Sequence, residues 1–482
     1  MLGLFGIILA LATLMWLAFR GWSILLVAPL AALVAAAVSS EPLLPHWTIT
    51  FMEGAAGFFT RWFPMFLLGG LFGKLMDDSG SIKSIAKFLS EKLGTQNTIL
   101  SVVIASSVVT YGGVSVFVAF FVLVPMAQAM FHAADIPKRL LPATIGLGAF
   151  TFTMSVLPGS PSVNNAIPMP YFGTTTFAAP GLGIIASVII LAFGLWWLAR
   201  AEAAARRSGE GYGGALEAVS TVDEPTRMQA SAAGDFDPAE VNHGQHSDNL
   251  PPFWIAVLPL AVVITVNFLM SLVVFPRMSF PFLATEAWGN TSLGAVAGVW
   301  SVIIALATAN LALIIFNYSR LPNIRESLDA GAASAGLPIL MISSLVGFGA
   351  VVAALPAFTA VSQAVLNVGG GPLISLTIAM NALAALTGTA SGGMAIALNA
   401  LGGHYMQLAQ QYNIDPALMH RVTTISAGTL DALPHNGTVL LLLSISGLTH
   451  KESYMDMVMT VIVSVIIALV AVLILGSVFG SF

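Results

Sequence analysis

The chain has no cysteine among its 482 residues. Disulfides, thiol chemistry and thiolate metal sites are therefore excluded. Charge is nearly as scarce: only 8% of residues are Asp, Glu, Lys or Arg, against about 25% in soluble domains. No His-Glu-x-x-His, Gly-x-Ser-x-Gly or phosphate-cradling Gly-rich loop occurs. That argues against a zinc hydrolase, a serine hydrolase and a nucleotide-driven pump. The predicted external stretches Ser39–Glu53 and Tyr171–Pro180 carry no Lys or Arg.

What remains is apolar. Hydrophobic residues make up 57% of the chain, and mean hydropathy is +0.90. Apolar runs fall at about 2–19, 22–38, 54–76, 97–131, 140–170, 180–199, 252–276, 293–317, 330–354, 372–410, 420–448 and 454–480. Many are near the ~20 residues that a helix needs to span a bilayer, which predicts an all-α polytopic membrane protein. Leu2–Phe19 lacks a basic leader and a small-residue cleavage site, so it reads as a retained first helix.

Two runs, 97–131 and 372–410, are too long for one crossing. Each carries Gly-Gly near its middle, at Gly112-Gly113 and Gly392-Gly393. Each therefore reads as a re-entrant hairpin of two half-spans. Two later runs, about 140–170 and 420–448, are interrupted by Leu157-Pro158 and Leu433-Pro434, each followed by small polar residues. These read as broken helices. Paired interruptions at matching positions in two halves mark the binding site of a secondary transporter. Helix ends inside a membrane present free backbone dipoles to an ion or a carboxylate. Ser81–Leu93 and Pro356–Val368 precede the hairpins, are too short to span, and read as interfacial helices.

The organisation is an N-terminal half, 1–200, a flexible linker, 201–249, and a C-terminal half, 250–482. Arg20, Lys74, Lys83, Lys87, Lys92, Lys138, Arg139, Arg200, Arg206, Arg207, Arg320, Arg325 and Lys451 share one side if the N-terminus is external and both hairpins return to their side of entry. That side is the cytoplasm; Arg277 and Arg421 are exceptions. The halves then run in opposite orientations. Gly54 through Pro64 to Gly73 also parallels Gly331 through Pro338 to Gly349, at an offset of about 274 residues at the prolines and 276–277 at the glycines, and the Leu-Pro breaks are 276 residues apart.

Leu67–Gly80, the Tyr111–Pro125 hairpin, Leu386–Gly393 and Ser426–Asp431 resemble, in order and type, the motifs of the gluconate:proton symporter (gluconate permease) family. The resemblance covers most of the chain outside the linker. It implies an inverted-repeat ion-transporter fold with two re-entrant hairpins and two broken helices, and proton-driven uptake of a small organic acid across a bacterial inner membrane. Gly112 follows Tyr111 where gluconate-type members carry a carboxylate. Leu430–Gly437 stands where they carry a Ser-His-Val-Asn-Asp-Pro-like run. These departures favour a short hydroxy acid such as 3-hydroxybutyrate over a sugar acid such as gluconate.

Asp431 is the one carboxylate deep in an apolar run, and His435 lies four residues on. An intramembrane ionisable group is a functional candidate by default, so the pair is the candidate for proton coupling; static capping of the broken helix is the competing role. Candidate substrate-binding residues are Gly112, Gly113, Ser115, Ser160, Asn164, Asn165, Thr389, Ser391, Gly392, Asn436 and Thr438. With no arginine in the predicted site, helix N-termini are left to hold the anion. Sodium is the alternative ion, through Ser160, Asn164, Thr389 and Asn436; ion antiport and intramembrane catalysis are further alternatives. The expected partners are a small organic anion, a proton, the lipid bilayer and, in a homodimer, a second copy. Nucleic acid, metals and cofactors are not among them. Lys74, Asp77 and Asp78 read as a topological and capping cluster, and His404 as interfacial. Reporter fusions at Gly213 and at the C-terminus should report opposite sides of the membrane; the same side for both would overturn the opposed halves.

Overall fold

A computed structural model describes residues 2–20, 22–94, 97–213, 247, 249–360, 363, 369–434 and 436–482. In hydrocarbon every backbone N–H and C=O must be satisfied internally, and an apolar chain meets that demand most simply as helices. The described residues form helices α1 (Leu2–Phe19), α2 (Ile24–Val38), α3 (Leu43–Asp78), α4 (Ser81–Leu93), α5 (Thr98–Tyr111), α6 (Val116–Ala133), α7 (Leu141–Ala149), α8 (Phe152–Ser155), α9 (Val163–Ala166), α10 (Met169–Phe172) and α11 (Pro180–Ser208). The second half adds α12 (Phe253–Arg277), α13 (Leu293–Arg320), α14 (Ile324–Ala354), α15 (Pro372–Thr387), α16 (Ala390–Gln411), α17 (Pro416–Thr429), α18 (Gly437–Ser446) and α19 (His450–Phe479). Among the described residues, seven helices are long and apolar enough to cross a membrane. The chain is a multi-pass membrane protein.

The packing is reciprocal between the halves. Helix α1 pairs with α2, and α12 with α13; α2 then packs on α14, and α13 on α3. Helices α3 and α14 cross antiparallel through small residues. A Cβ on Gly54 would lie 2.6 Å from Ala350, whereas one on Gly70 would lie 2.6 Å from the Gly331 carbonyl. Helix α5 packs on α7, and α15 packs likewise on α17. The Lys74–Asp77–Asp78 cluster is interior rather than an exposed helix end. Lys74 Nζ lies 2.9 Å from Asp78 Oδ1, and Ser327 Oγ donates to Asp78 Oδ2 at 2.7 Å. The ion pair lies within α3, and the Ser327 hydrogen bond ties it to α14.

Three sequence boundaries shift. Helix α3 begins at Leu43 rather than near 54, through a π-helical turn at His46–Phe51, so most of the stretch read as external, Ser39–Glu53, is helical. Residues 201–208, read as linker, continue α11 as far as Ser208. The second hairpin turns at Gly388-Thr389, not at Gly392-Gly393. Gly388 supplies the left-handed residue (φ +71°) that ends α15, while Gly392 and Gly393 already lie in the first turn of α16. This correction aligns the two hairpins at the offset of the Leu-Pro breaks: Gly388 lies 276 residues after Gly112, and Ser391 the same distance after Ser115. The interfacial helix predicted at Ser81–Leu93 is α4, with Ile82, Ile85 and Ala86 buried and Lys83 and Lys87 exposed. Its predicted counterpart at 356–368 falls largely outside the described residues, as does linker segment 214–246.

Gly393 is required where the hairpin arms cross: its Cβ would lie 2.4 Å from the backbone nitrogen of Ala384. Gly57, in α3, faces open space. Gly393→Ala should cost about 1–3 kcal/mol through overpacking and lower the thermal unfolding midpoint of the purified protein. Gly57→Ala should leave the midpoint unchanged or raise it. Equal midpoints for the two variants would refute the crossing argument.

Candidate functional site

Two helical hairpins and two interrupted helices meet at the centre of the fold. The first break spans residues 156–162, between α8 and α9, and the second spans 430–436, between α17 and α18. Each break strands backbone carbonyls that a continuous helix would satisfy. In the first break, side chains take them up. Tyr111 Oη donates to Pro158 O at 2.6 Å, Asn267 Nδ2 to Gly159 O at 3.1 Å, and Asn165 Nδ2 to Ser160 O at 3.1 Å and Thr176 O at 3.0 Å. The guanidinium of Arg421 is fully buried. Its Nη1 donates to Val156 O at 2.8 Å, and its Nη2 to Ala178 O at 2.7 Å.

The second break is secured in a parallel way. Tyr454 Oη donates to Ala432 O at 2.9 Å, and His450 Nε2 lies 2.8 Å from Pro434 O. Asn436 caps α18, its Oδ1 accepting from Thr438 N at 2.7 Å, while its Nδ2 donates to Gly388 O at 2.7 Å. Asp431 Oδ1 accepts from Ala390 N at 2.7 Å and from Asn436 Nδ2 at 3.0 Å. The carboxylate thus caps the N-terminus of α16 across the chain, in addition to any role beside His435, which lies outside the described residues.

A cavity of about 190 Å³ lies between these elements. Both hairpin turns line it, through Gly113, Ser115, Thr389 and Ser391, and both breaks line it, through Asn164, Asp431 and Thr438. Helices α3 and α14 close another side with Gly69, Gly70, Gly73, Ser334 and Pro338. Gly113 (φ +98°) packs so tightly on the first break that a Cβ there would lie 2.8 Å from Pro161 Cγ. Asp431 is the one ionisable side chain among the described lining residues. Thr389 Oγ1 and Ser391 Oγ share a hydrogen bond of 3.0 Å. Asn164 donates its backbone N–H to Ser162 Oγ, and Thr438 donates its own to Asn436 Oδ1. The N-termini of α6 and α16 face the cavity, and that of α18 reaches it at Thr438.

Five of the sequence candidates stand behind the cavity wall. Gly112 packs on α12, where a Cβ would meet Leu260 at 2.2 Å. Gly392 packs on Leu345 of α14. Ser160, Asn165 and Asn436 are buried, and their hydrogen bonds serve the breaks. Sequence reading placed no arginine in the site. Arg421 does stay out of the cavity, yet it secures the first break. Its only signal was its place as an unexplained charge in an apolar run. His420, beside it, is equally buried, with Nδ1 2.6 Å from Thr174 Oγ1. The exposed His404 lies away from the cavity.

The comparisons with known proteins bear on the family and the fold. The family model for GntP family permease matches residues 1–204. An uncharacterized transporter of Bacillus subtilis (strain 168), YxjC, is 40% identical over 457 residues, 94% of each chain. The chain belongs to the GntP permease family. An uncharacterized transporter of Haemophilus influenzae is 29% identical over 124 residues, 26% of this chain and 30% of the relative. Two solved structures share the fold at low identity. One is Neisseria gonorrhoeae MtrF, described as illuminating a class of antimetabolite efflux pumps (TM-score 0.57, 15% identity, 96% of this chain and 97% of that one). The other is the Alcanivorax borkumensis YdaH transporter (TM-score 0.54, 16% identity, 91% of each chain). The chain is thus a membrane transporter, and the cavity is its candidate site.

The hydrogen-bond ledger separates structural from lining amides one residue apart. Asn165→Ala would leave two buried carbonyls, Ser160 O and Thr176 O, without this donor, at about 1–3 kcal/mol, and should lower the unfolding midpoint. Asn164→Ala should leave the midpoint within a degree or two and reduce transport. Matching losses of stability in both variants would contradict the division.

Proposed function

We propose that the chain is a proton-coupled symporter of a short organic acid, with the central cavity as the shared site of acid and proton. The reading rests on one observation: Asp431, the one ionisable side chain among the described lining residues, caps a helix N-terminus that faces the cavity. A substrate carboxylate seeks the same positive helix ends. Two anions competing for these donors in a poorly hydrated site repel, so acid binding favours protonated Asp431. Protonation in turn loosens the bond from Ala390 N–H and frees the α16 N-terminus for the substrate. Proton and acid therefore bind together, which is the thermodynamic requirement of symport.

The walls bear on the substrate. Met65, Phe66, Phe117, Phe150, Met154 and Ile342 present apolar surface, whereas Asn164, Thr438, Thr389 and Ser391 supply the polar groups. A short hydroxy acid such as 3-hydroxybutyrate can place its carboxylate and single hydroxyl on these groups and its methyl on the walls. A polyhydroxylated sugar acid such as gluconate would strand several hydroxyls against hydrocarbon. The reciprocal packing of the halves, with each hairpin turn facing a break, supports an inverted repeat whose hairpins are re-entrant and whose halves rock around the site. The hydroxyl pair of Thr389 and Ser391 beside Asp431 supports a sodium-driven reading as the alternative.

Reconstitution in liposomes tests the coupling. Asp431→Asn should abolish accumulation driven by a pH gradient while labelled substrate still exchanges across the membrane at equilibrium. Full gradient-driven accumulation by this variant would eliminate Asp431 as the coupling group. Accumulation by the wild type that follows a sodium gradient and ignores pH would establish the alternative.

A further inference from the structure

A second hollow, of about 690 Å³, lies between α4 and the outgoing hairpin arm α6 and shares no lining residue with the central cavity. Its two walls differ in chemistry. From α6 come Phe121, Pro125, Met126 and Met130, an apolar strip along the helix. From α4 come Lys83 and Lys87, one turn apart at the rim, both exposed. The carboxylate at this rim, Glu91, lies 3.9 Å from Lys87 Nζ in an exposed i,i+4 pair, which holds its lysine weakly. Helix α4 is amphipathic: Ile82, Ile85 and Ala86 are buried, and Phe88 stacks on Phe253 of α12 at a ring separation of 3.9 Å. The amphipathic period and exposed lysines of α4 suit the plane of the membrane interface, at headgroup depth.

We propose that this groove is a binding site for an anionic phospholipid, its phosphate held by Lys83 and Lys87 and one acyl chain lying along α6. Charge complementarity selects the occupant. Two ammonium groups at headgroup depth attract an anionic lipid but gain little from a zwitterionic one, and the apolar strip requires a tail that a free phosphate lacks. A bound tail covers the face of α6 that would otherwise be open, from about two to about four turns beyond the turn that lines the transport cavity. The site thus braces the arm that carries Gly113 to the first break.

The test uses the purified full-length protein in detergent, with phosphatidylglycerol or phosphatidylcholine of identical acyl chains added. Phosphatidylglycerol should raise the thermal unfolding midpoint and be retained in native mass spectra, and phosphatidylcholine should do neither. The double variant Lys83→Gln, Lys87→Gln should weaken retention about thirtyfold while its lipid-free midpoint matches wild type, since both side chains are exposed. Ala129→Phe, which fills the apolar strip and keeps both charges, should lose retention as well. Equal effects of the two lipids, unchanged retention in either variant, or equal stabilisation by soluble glycerol phosphate would each overturn the proposal. So would carbodiimide cross-linking of Lys83 to an acidic residue of segment 214–246 that added phosphatidylglycerol fails to compete away.

Discussion

The structure depends on one constraint: backbone carbonyls and N–H groups released by a broken helix must find partners, most of them in the buried interior. An unbroken apolar helix satisfies its backbone by itself. A transporter that needs helix ends at its centre cannot do so, and each break creates orphan groups whose desolvation costs about 1–3 kcal/mol apiece. The buried polar side chains of the central region answer that requirement. Arg421, Tyr111, Asn165 and Asn267 hold the first break; Tyr454, Asn436 and Asp431 hold the second break and the turn beside it. With its carbonyls taken up by protein, the first break can keep its shape without a ligand.

Small residues follow from the same demand. Bringing broken backbones and hairpin turns to one place needs backbones that approach closely. Gly393 lets two hairpin arms cross, Gly70 and Gly331 let α3 meet α14, and Gly113 lets the first turn rest on Pro161. Close approach through small residues is also how helices associate when lipid removes the hydrophobic drive between them. The cavity that results has apolar and small polar side chains for walls, helix N-termini facing it, and one carboxylate for charge among the described residues.

The Asp431 carboxylate links scaffold and chemistry. It accepts from the first N–H of α16 and from Asn436, which in turn caps α18. A change in its charge reaches two helix ends and the second hairpin turn together. The static capping role is seen in these bonds, and the proposed coupling role is compatible with it, because a group can transmit its protonation only through bonds that it makes.

The sequence by itself determined that this is an all-helical membrane protein, and it suggested two comparable halves, because hydropathy, Gly-Pro interruptions and charge placement are local properties that the bilayer reads directly. It also located both breaks and α4 to the residue or nearly so, since Leu-Pro followed by small polar residues gives up helical hydrogen bonds at Pro158 and Pro434 and Ser81–Leu93 carries its amphipathic period openly. Only the tertiary structure decided which polar residues face the cavity. Asn164 and Asn165 are identical in type and adjacent, yet one lines the cavity and the other spends its amide on Ser160 and Thr176. Tertiary packing likewise moved the second turn from Gly392-Gly393 to Gly388-Thr389, because a glycine serves a left-handed turn and a close helix crossing equally well and its letter does not say which. Arg421 shows the same limit. A charge in an apolar run announces that something must pair with it, but its partners are carbonyls more than 240 residues away in sequence, and only the folded chain brings them together.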